Sequence, residues 1–382
     1  MDFRLTEEQT MLADSLRRYF AKSYAMPARK AAMSEPRGFS TAHWQAFADM
    51  GVLALNVPEA HGGLATGAGN PLDTMVVMKE IGRALSVEPY LMTAVVCANA
   101  IALCGNGAQQ SALLPAIADG SLIVALAALE HRGRYDFNHV ETTAVKSGGG
   151  YTLSGRKAVV LHGAQADRLI VSARLGGAVA DANGIALFIV DRSATGVSAF
   201  DTATVDGLRT AEIALDGVVV GADALLADGD RGGAVLRHTA ELAGAALCAE
   251  ALGIVEALTE TTNEYLKTRR QFGVPIGKFQ ALQHRVADML VCVEQVRAMA
   301  SFAAVKAGVD DPTERRKSIA AARTAIADAS RFVGKNAVQL HGGMGVTDEL
   351  IVSHYVKRLT MLNQTYGDYE HNLAQYMELM GA

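Results

Sequence analysis

Cysteine is scarce in this chain: four in 382 residues. Cys97, Cys104, Cys248 and Cys292 lie in apolar, helix-like surroundings without metal-like spacing, which excludes a zinc knot or a disulfide framework. They read as buried free thiols, consistent with a reducing cytoplasm. An excess of positive charge is also missing: 35 basic against 40 acidic residues leave a net charge of -5. Nucleic acid is therefore excluded as the main partner, and an anionic ligand has to be held by local arginines and backbone donors. No long apolar run occurs. The longest, Leu91 to Cys104, is interrupted by Asn99 and falls short of the roughly 20 residues a bilayer demands, so no integral membrane segment is expected. Met1-Asp2-Phe3-Arg4-Leu5 lacks a basic region leading into an apolar core, so no export signal is expected either. What is present is an apolar half of the sequence, enough for a large core.

Three regions with different periodicity follow. Residues 1–120 read as helices: Thr6-Glu7-Glu8-Gln9 has the form of a capping box, and Leu5, Leu12, Leu16 and Phe20 recur at helical spacing. A second helix carries Trp44, Phe47 and Met50 and stops at Gly51; a third, from about Pro71 to Leu85, presents Met75, Met78 and Ile81. A glycine-rich loop, Gly62 to Gly69, separates them. At Ser121 the period changes, and residues 121–228 read as short strands separated by turns. Leu122–Leu129, Thr142–Lys146, Tyr151–Ser154, Arg168–Ala173, Ile185–Val190 and Ala211–Leu215 imply an antiparallel sheet or small barrel. Residues 229–382 return to long helices, 243–265, 279–307, 313–340 and 353–362, with short connections, giving an up-down bundle.

Two breaks between those helices carry possible chemistry. Lys267-Thr-Arg-Arg-Gln-Phe-Gly-Val-Pro-Ile-Gly-Lys-Phe-Gln280 joins two arginines to an aromatic turn, either an anion clamp or a basic helix end with an ordinary turn. Gln339-Leu340-His341-Gly342-Gly343-Met344-Gly345 bares backbone amides at a helix end, which suits close approach of a phosphate but also suits a plain C-cap. No βαβ unit surrounds it, so it is not a dinucleotide fingerprint.

Together with the helical, β, helical order, these two stretches resemble the acyl-CoA dehydrogenase family over essentially the whole chain. Arg269-Arg270-Gln271-Phe272-Gly273 is similar to that family's Arg-x-x-Phe-Gly element, Gln280 falls where the family keeps a Gln, and Gln339 to Gly343 is similar to its Gln-x-x-Gly-Gly element. The resemblance implies FAD, held largely across a subunit interface, with Arg269 on the diphosphate, Phe272 and Gln280 against the cofactor, and Gln339, Gly342 and Gly343 as backbone contacts. Leu266–Arg269, Phe279–Arg285 and Tyr355–Met361 resemble most the small subunit of pimeloyl-CoA dehydrogenase-type enzymes, which pair a small with a large subunit. The implied reaction is α,β-dehydrogenation of an acyl-CoA: a carboxylate takes the α-proton, the β-hydride goes to flavin N5, and an electron-transfer flavoprotein takes the electrons. The implied assembly is a homo-oligomer or a heteromer.

The catalytic carboxylate departs from the family pattern. Tyr366-Gly367-Asp368-Tyr369 puts Gly367 where the family's usual Glu stands, and the alternative position, 26 residues before Arg269, is Ala243. The neighbouring carboxylates, Asp368 and Glu241, are the candidate bases; otherwise they are a loop cap and a solvated helix face. Leu129-Glu130-His131-Arg132-Gly133-Arg134 and Val159-Val160-Leu161-His162-Gly163 stand where typical members carry flavin-contacting Thr-Glu-Pro-Gly-like and Trp-Ile-Thr-like segments. Arg132, Arg134 and His162 there are either solvated surface or the lining of an unusual pocket. The alternative function is a non-catalytic subunit that clamps FAD on behalf of a partner chain.

Overall fold

The computed structural model describes residues 5–66 and 69–381. The expectation about an export signal rests on residues 1–4, which lie outside the described residues, as do 67 and 68 of the glycine-rich loop. Eleven α-helices are described: α1 (Glu7–Ser23), α2 (Met26–Ser34), α3 (Thr41–Asp49), α4 (Pro71–Ala84), α5 (Ala98–Cys104), α6 (Gly107–Ala118), α7 (Gly232–Thr268), α8 (Gln280–Ala307), α9 (Pro312–His341), α10 (Ile351–Leu362) and α11 (Tyr369–Met380). The chain forms two compact units. One comprises the N-terminal segment through Lys30, Pro71–Ser86 and everything from Gly244; the other comprises Ala31–Asn70 and Val87–Ala243.

The first unit is helical. Its opening helix starts as the sequence specifies: Thr6 Oγ1 accepts from the Gln9 amide at 3.2 Å, and Gln9 Oε1 accepts from the Thr6 amide at 3.0 Å. At its centre α4 and α7 touch backbone to backbone. A Cβ on Gly82 would lie 2.2 Å from Glu250 O, and one on Gly253 would lie 1.8 Å from Lys79 O. Neither position has room for a side chain. The Glu250 carboxylate then takes a bidentate contact from Arg358 of α10, with Nε to Oε1 at 2.6 Å and Nη2 to Oε2 at 2.8 Å, in a buried setting. One residue thus joins three helices. α7 is long and apolar enough to cross a membrane, but its most apolar window is wholly buried, which makes it a core helix.

The second unit contains an eight-stranded sheet: β1 (Val124–Ala127), β2 (Thr143–Ser147), β3 (Gly150–Leu161), β4 (Arg168–Arg174), β5 (Ile185–Asp191), β6 (Val197–Ala203), β7 (Arg209–Gly221) and β8 (Leu225–Ala227). The order is β6-β7-β3-β2-β4-β5-β8, with β1 on β4. The sheet is mixed, not purely antiparallel: β1 runs parallel to β4, with Val124 opposite Arg168, and β2 meets β4 in parallel at Thr143 and Arg174. The polypeptide between β1 and β4 includes the whole β2–β3 hairpin, long enough for the crossover that a parallel pair requires. β6 has no apolar run; its half-exposed, alternating residues suit an edge strand, which explains its absence from the strands expected from sequence.

Lys157, with no exposed surface, sits between two bulges in the β3–β7 pairing and donates to Glu130 Oε1 at 2.6 Å and Ser172 Oγ at 2.8 Å. Glu130 also accepts from the Thr142 hydroxyl (2.7 Å) and amide (3.0 Å) and from the Glu141 amide (2.6 Å), so both of its oxygens are committed. Burial pushes the Glu130 carboxyl up, but the ammonium and these donors outweigh it and hold the group below its ordinary range. Burial brings Lys157 down to about 8 in spite of its carboxylate partner.

Two outcomes are expected. Gly253→Ala forces a methyl group into the Lys79 carbonyl and lowers unfolding stability by about 1–3 kcal/mol or more, measured from denaturant midpoints. Gly176→Ala, where a Cβ meets nothing within 4 Å, stays within about 0.5 kcal/mol. Because the folded-state pKa of Glu130 is depressed, its contribution is present above the ordinary value of 4.5 and is lost as pH falls through the folded value. Acid unfolding of Glu130→Gln is therefore expected to show a shallower decline below that pH than the parent protein.

Candidate functional site

The Lys267–Gln280 stretch folds as a miniature hairpin at the end of α7. Strands β9 (Arg270–Gln271) and β10 (Val274–Pro275) pair antiparallel, with Gln271 opposite Val274. Phe272 and Gly273 form the two-residue apex with φ of 53° and 82°, the positive pair of a type I′ turn. Glycine takes this geometry freely; phenylalanine does so under strain. Yet Phe272 is 89% exposed, touching Phe279 edge-on at 6.1 Å. A strained, exposed aromatic ring is poor design for a core and good design for a contact. Beside it, the Arg269 backbone is fixed at both ends: its amide donates to Tyr265 O, and its carbonyl accepts from Ile276 N, both at 2.8 Å. The exposed Arg269 guanidinium has no ion-pair or hydrogen-bond partner among the described residues. Arg270 instead closes the hairpin by donating to Gly273 O at 3.0 Å.

Gln280 is the exposed first residue of α8. At the end of α9, Gln339 is exposed and its carbonyl accepts the Gly342 amide. Gly342 has φ 61°, and a Cβ at Gly342 or Gly343 would meet nothing within 4 Å. These two peptides form an uncovered surface where a phosphate can approach amides directly. The hairpin and the glycine turn, remote in sequence, meet through the rings of Tyr265 and His341, stacked at 4.3 Å and 30°. Sequence reading singled out neither residue of this contact in a functional role, although His341 lies within the glycine stretch.

The candidate bases have different surroundings. Asp368 is the N-cap of α11, with Oδ1 accepting from the His371 amide at 2.9 Å. Gly367 just before it has φ 131°, and a Cβ there would lie 2.8 Å from the His371 ring and 3.0 Å from Asn372 Nδ2. The Gly367 carbonyl accepts from the buried Arg323 guanidinium at 2.9 Å, alongside Thr365 O at 2.7 Å and Leu362 O at 3.3 Å. Glu241 is not on a solvated helix face: it is buried on α7, in the other compact unit from Asp368. Among the middle-region residues, His162 is buried against Phe39 at 6.2 Å, whereas Arg132 is exposed and exposed Arg134 lies over the Tyr135 ring at 5.5 Å. The cysteines are not nucleophiles: burial pushes Cys97 up strongly, Cys104 up to about 11 and Cys248 up to about 12.

Family models of the acyl-CoA dehydrogenase N-terminal, middle and C-terminal domains match residues 6–121, 125–218 and 230–379. The solved Tcur3481-Tcur3483 steroid ACAD is 31% identical, with 98% of each chain covered and a TM-score of 0.86. The chain belongs to the acyl-CoA dehydrogenase family. A chain of the ChsE4-ChsE5 complex from Mycobacterium tuberculosis superposes with a TM-score of 0.89 at 27% identity, covering 100% of this chain and 99% of that one. A probable acyl-CoA dehydrogenase of Bacillus subtilis is 28% identical over 94% of this chain and 93% of its own. This is a family of FAD-dependent oxidoreductases, and the features described here fit the cofactor: an exposed arginine fork, an aromatic ring and two open peptides all in one unit.

Phe272→Asn tests the use of the strained apex, since asparagine tolerates positive φ. Unfolding stability is expected to hold or rise by up to about 1 kcal/mol, while FAD affinity, followed by flavin fluorescence, falls about three- to tenfold. Lost stability with unchanged affinity would make the ring a packing contact instead.

Proposed function

We propose that this chain serves the FAD-dependent α,β-dehydrogenation of an acyl-CoA thioester, with Arg269, Phe272, Gln280, Gln339, Gly342 and Gly343 holding the cofactor. The observation that carries this reading is the exposed hairpin, with Phe272 held in a left-handed conformation beside the unpartnered Arg269 fork and joined to the open glycine turn. The arginine fork neutralises diphosphate charge in a planar, two-point contact, and the glycine amides donate to oxygen without a side chain between. Bound FAD supplies the hydride acceptor for the β-carbon.

The protein must supply a base for the α-proton. Asp368 is the first candidate and Glu241 the second. Proton uptake by Asp368 weakens the cap on α11, at a cost of about 1 kcal/mol, small beside the gain from a positioned base. Electrons leave the assembly to an electron-transfer flavoprotein, and the four unpaired thiols suit a reducing cytoplasm.

A second reading is supported by Gly367. Its positive φ, its crowded Cβ direction and its carbonyl contact with Arg323 all favour glycine where the family's usual base stands. The chain is then one half of a heteromer, clamping FAD for a partner subunit that carries the carboxylate.

The deciding experiment is anaerobic titration of the purified, FAD-loaded protein with acyl-CoAs, alone and with a second acyl-CoA dehydrogenase-like chain. Flavin bleaching by the chain alone supports catalysis, and Asp368→Asn should then slow it by about 10²–10⁴-fold. A loss below about tenfold removes Asp368 from the role and moves the test to Glu241→Gln. Turnover seen only with the second chain establishes the partner reading.

A further inference from the structure

We infer that the Tyr265–His341 stack is a positioning device that sets the hairpin and the glycine turn at the spacing one ligand requires, so that the two halves of the clamp act as a unit. The inference rests on the FAD reading above. Three observations carry it. Tyr265 is the last ring before the hairpin, and its carbonyl accepts both the Arg269 amide at 2.8 Å and the Thr268 hydroxyl at 3.2 Å. Any shift of Tyr265 is therefore passed to the backbone of Arg269. His341 is the final residue of α9 and the residue from which the Gly342–Val346 turn springs; its Cβ would lie 3.2 Å from a Cβ on Gly345. The two rings lie face to face at 4.3 Å, and His341 is only 3% exposed.

The imidazole is built for stacking, not for exchange of protons. Its Nδ1 is 2.8 Å from Ala337 O, and a carbonyl only accepts, so Nδ1 carries the proton. Nε2 is then an acceptor, and it is buried without a hydrogen-bond partner. Burial lowers the pKa of the ring, which favours the neutral form. A residue retained only for packing would more simply be apolar here. The ring instead ties down the last turn of its own helix through Nδ1–H while its face holds the neighbouring element.

The test is FAD affinity and FAD dissociation rate in the assembled protein, read by flavin fluorescence. The variants are Arg269→Ala, Tyr265→Leu, His341→Ala, His341→Phe and the Tyr265→Leu/His341→Ala double variant, each with an unfolding midpoint recorded without FAD. Tyr265→Leu and His341→Ala are each expected to weaken FAD about tenfold, and the double variant no further than the worse single one, the signature of one shared contact. His341→Phe, which keeps a stacking ring, is expected to restore affinity to within about threefold. Affinity that is unchanged in both single variants, effects that multiply in the double variant, or no rescue by phenylalanine would each overturn the inference. Arg269→Ala separates this from the parent reading. If Arg269→Ala weakens FAD while the stack variants do not, the coupling alone fails. If the parent protein takes up no FAD, or Arg269→Ala binds it equally well, the FAD reading fails and the inference falls with it. Since half-buried Tyr265 tolerates truncation better than His341, the Tyr265→Leu result stands even if His341→Ala misfolds.

Discussion

The helical unit depends on a backbone-to-backbone contact. Gly82 and Gly253 let α4 and α7 approach until carbonyl oxygens occupy the space of side chains, and the same stretch of α7 offers Glu250 to Arg358 of α10. Each of these would be a liability alone. Glycine weakens a helix, and a buried ion pair is expensive to desolvate. Combined, they leave little freedom in how three helices cross, because neither the close approach nor the bidentate fork survives a small rotation. The far end of α7 carries the hairpin, so the rigidity of the crossing is inherited by the ligand-facing surface.

The β unit reaches a similar end by different means. Lys157 and Glu130 bury opposite charges between β3 and the loop after β1, and every available oxygen of Glu130 is used. That loop is one of the two segments where the sequence departs from flavin-contacting patterns. The loop is therefore well fixed even where its exposed residues, Arg132 and Arg134, are unusual. A firm scaffold beneath altered surface chemistry is what a changed binding role would require.

Much of this was legible beforehand, for stated reasons. A capping box is a local pattern and formed as such at Thr6 and Gln9. The change of period at Ser121 announced the sheet because alternation is a property of neighbouring residues. The parallel pairing of β1 with β4 is a choice between distant segments, and nothing in either strand encodes it. Glu241 read as a solvated face because its charge suggested water, whereas it is buried on α7. Glu250 with Arg358, or Tyr265 with His341, join residues far apart on different helices, and single residue types carry no address for their partners. For the candidate site, the motif residues were visible; the left-handed apex and the contact between its halves required coordinates.

Gly367 has a consequence for how this chain can change. A glutamate there would meet a left-handed backbone, a histidine ring and an amide within about 3 Å, with its carbonyl still gripped by Arg323. Backbone strain alone would set such a variant back by roughly 1–3 kcal/mol before any other adjustment. A lineage holding this loop therefore cannot move to a carboxylate at that place through one tolerable substitution; the loop and its arginine must give way first. The arrangement works as a ratchet in sequence space, and dependence on chemistry placed elsewhere, once acquired, is hard to reverse.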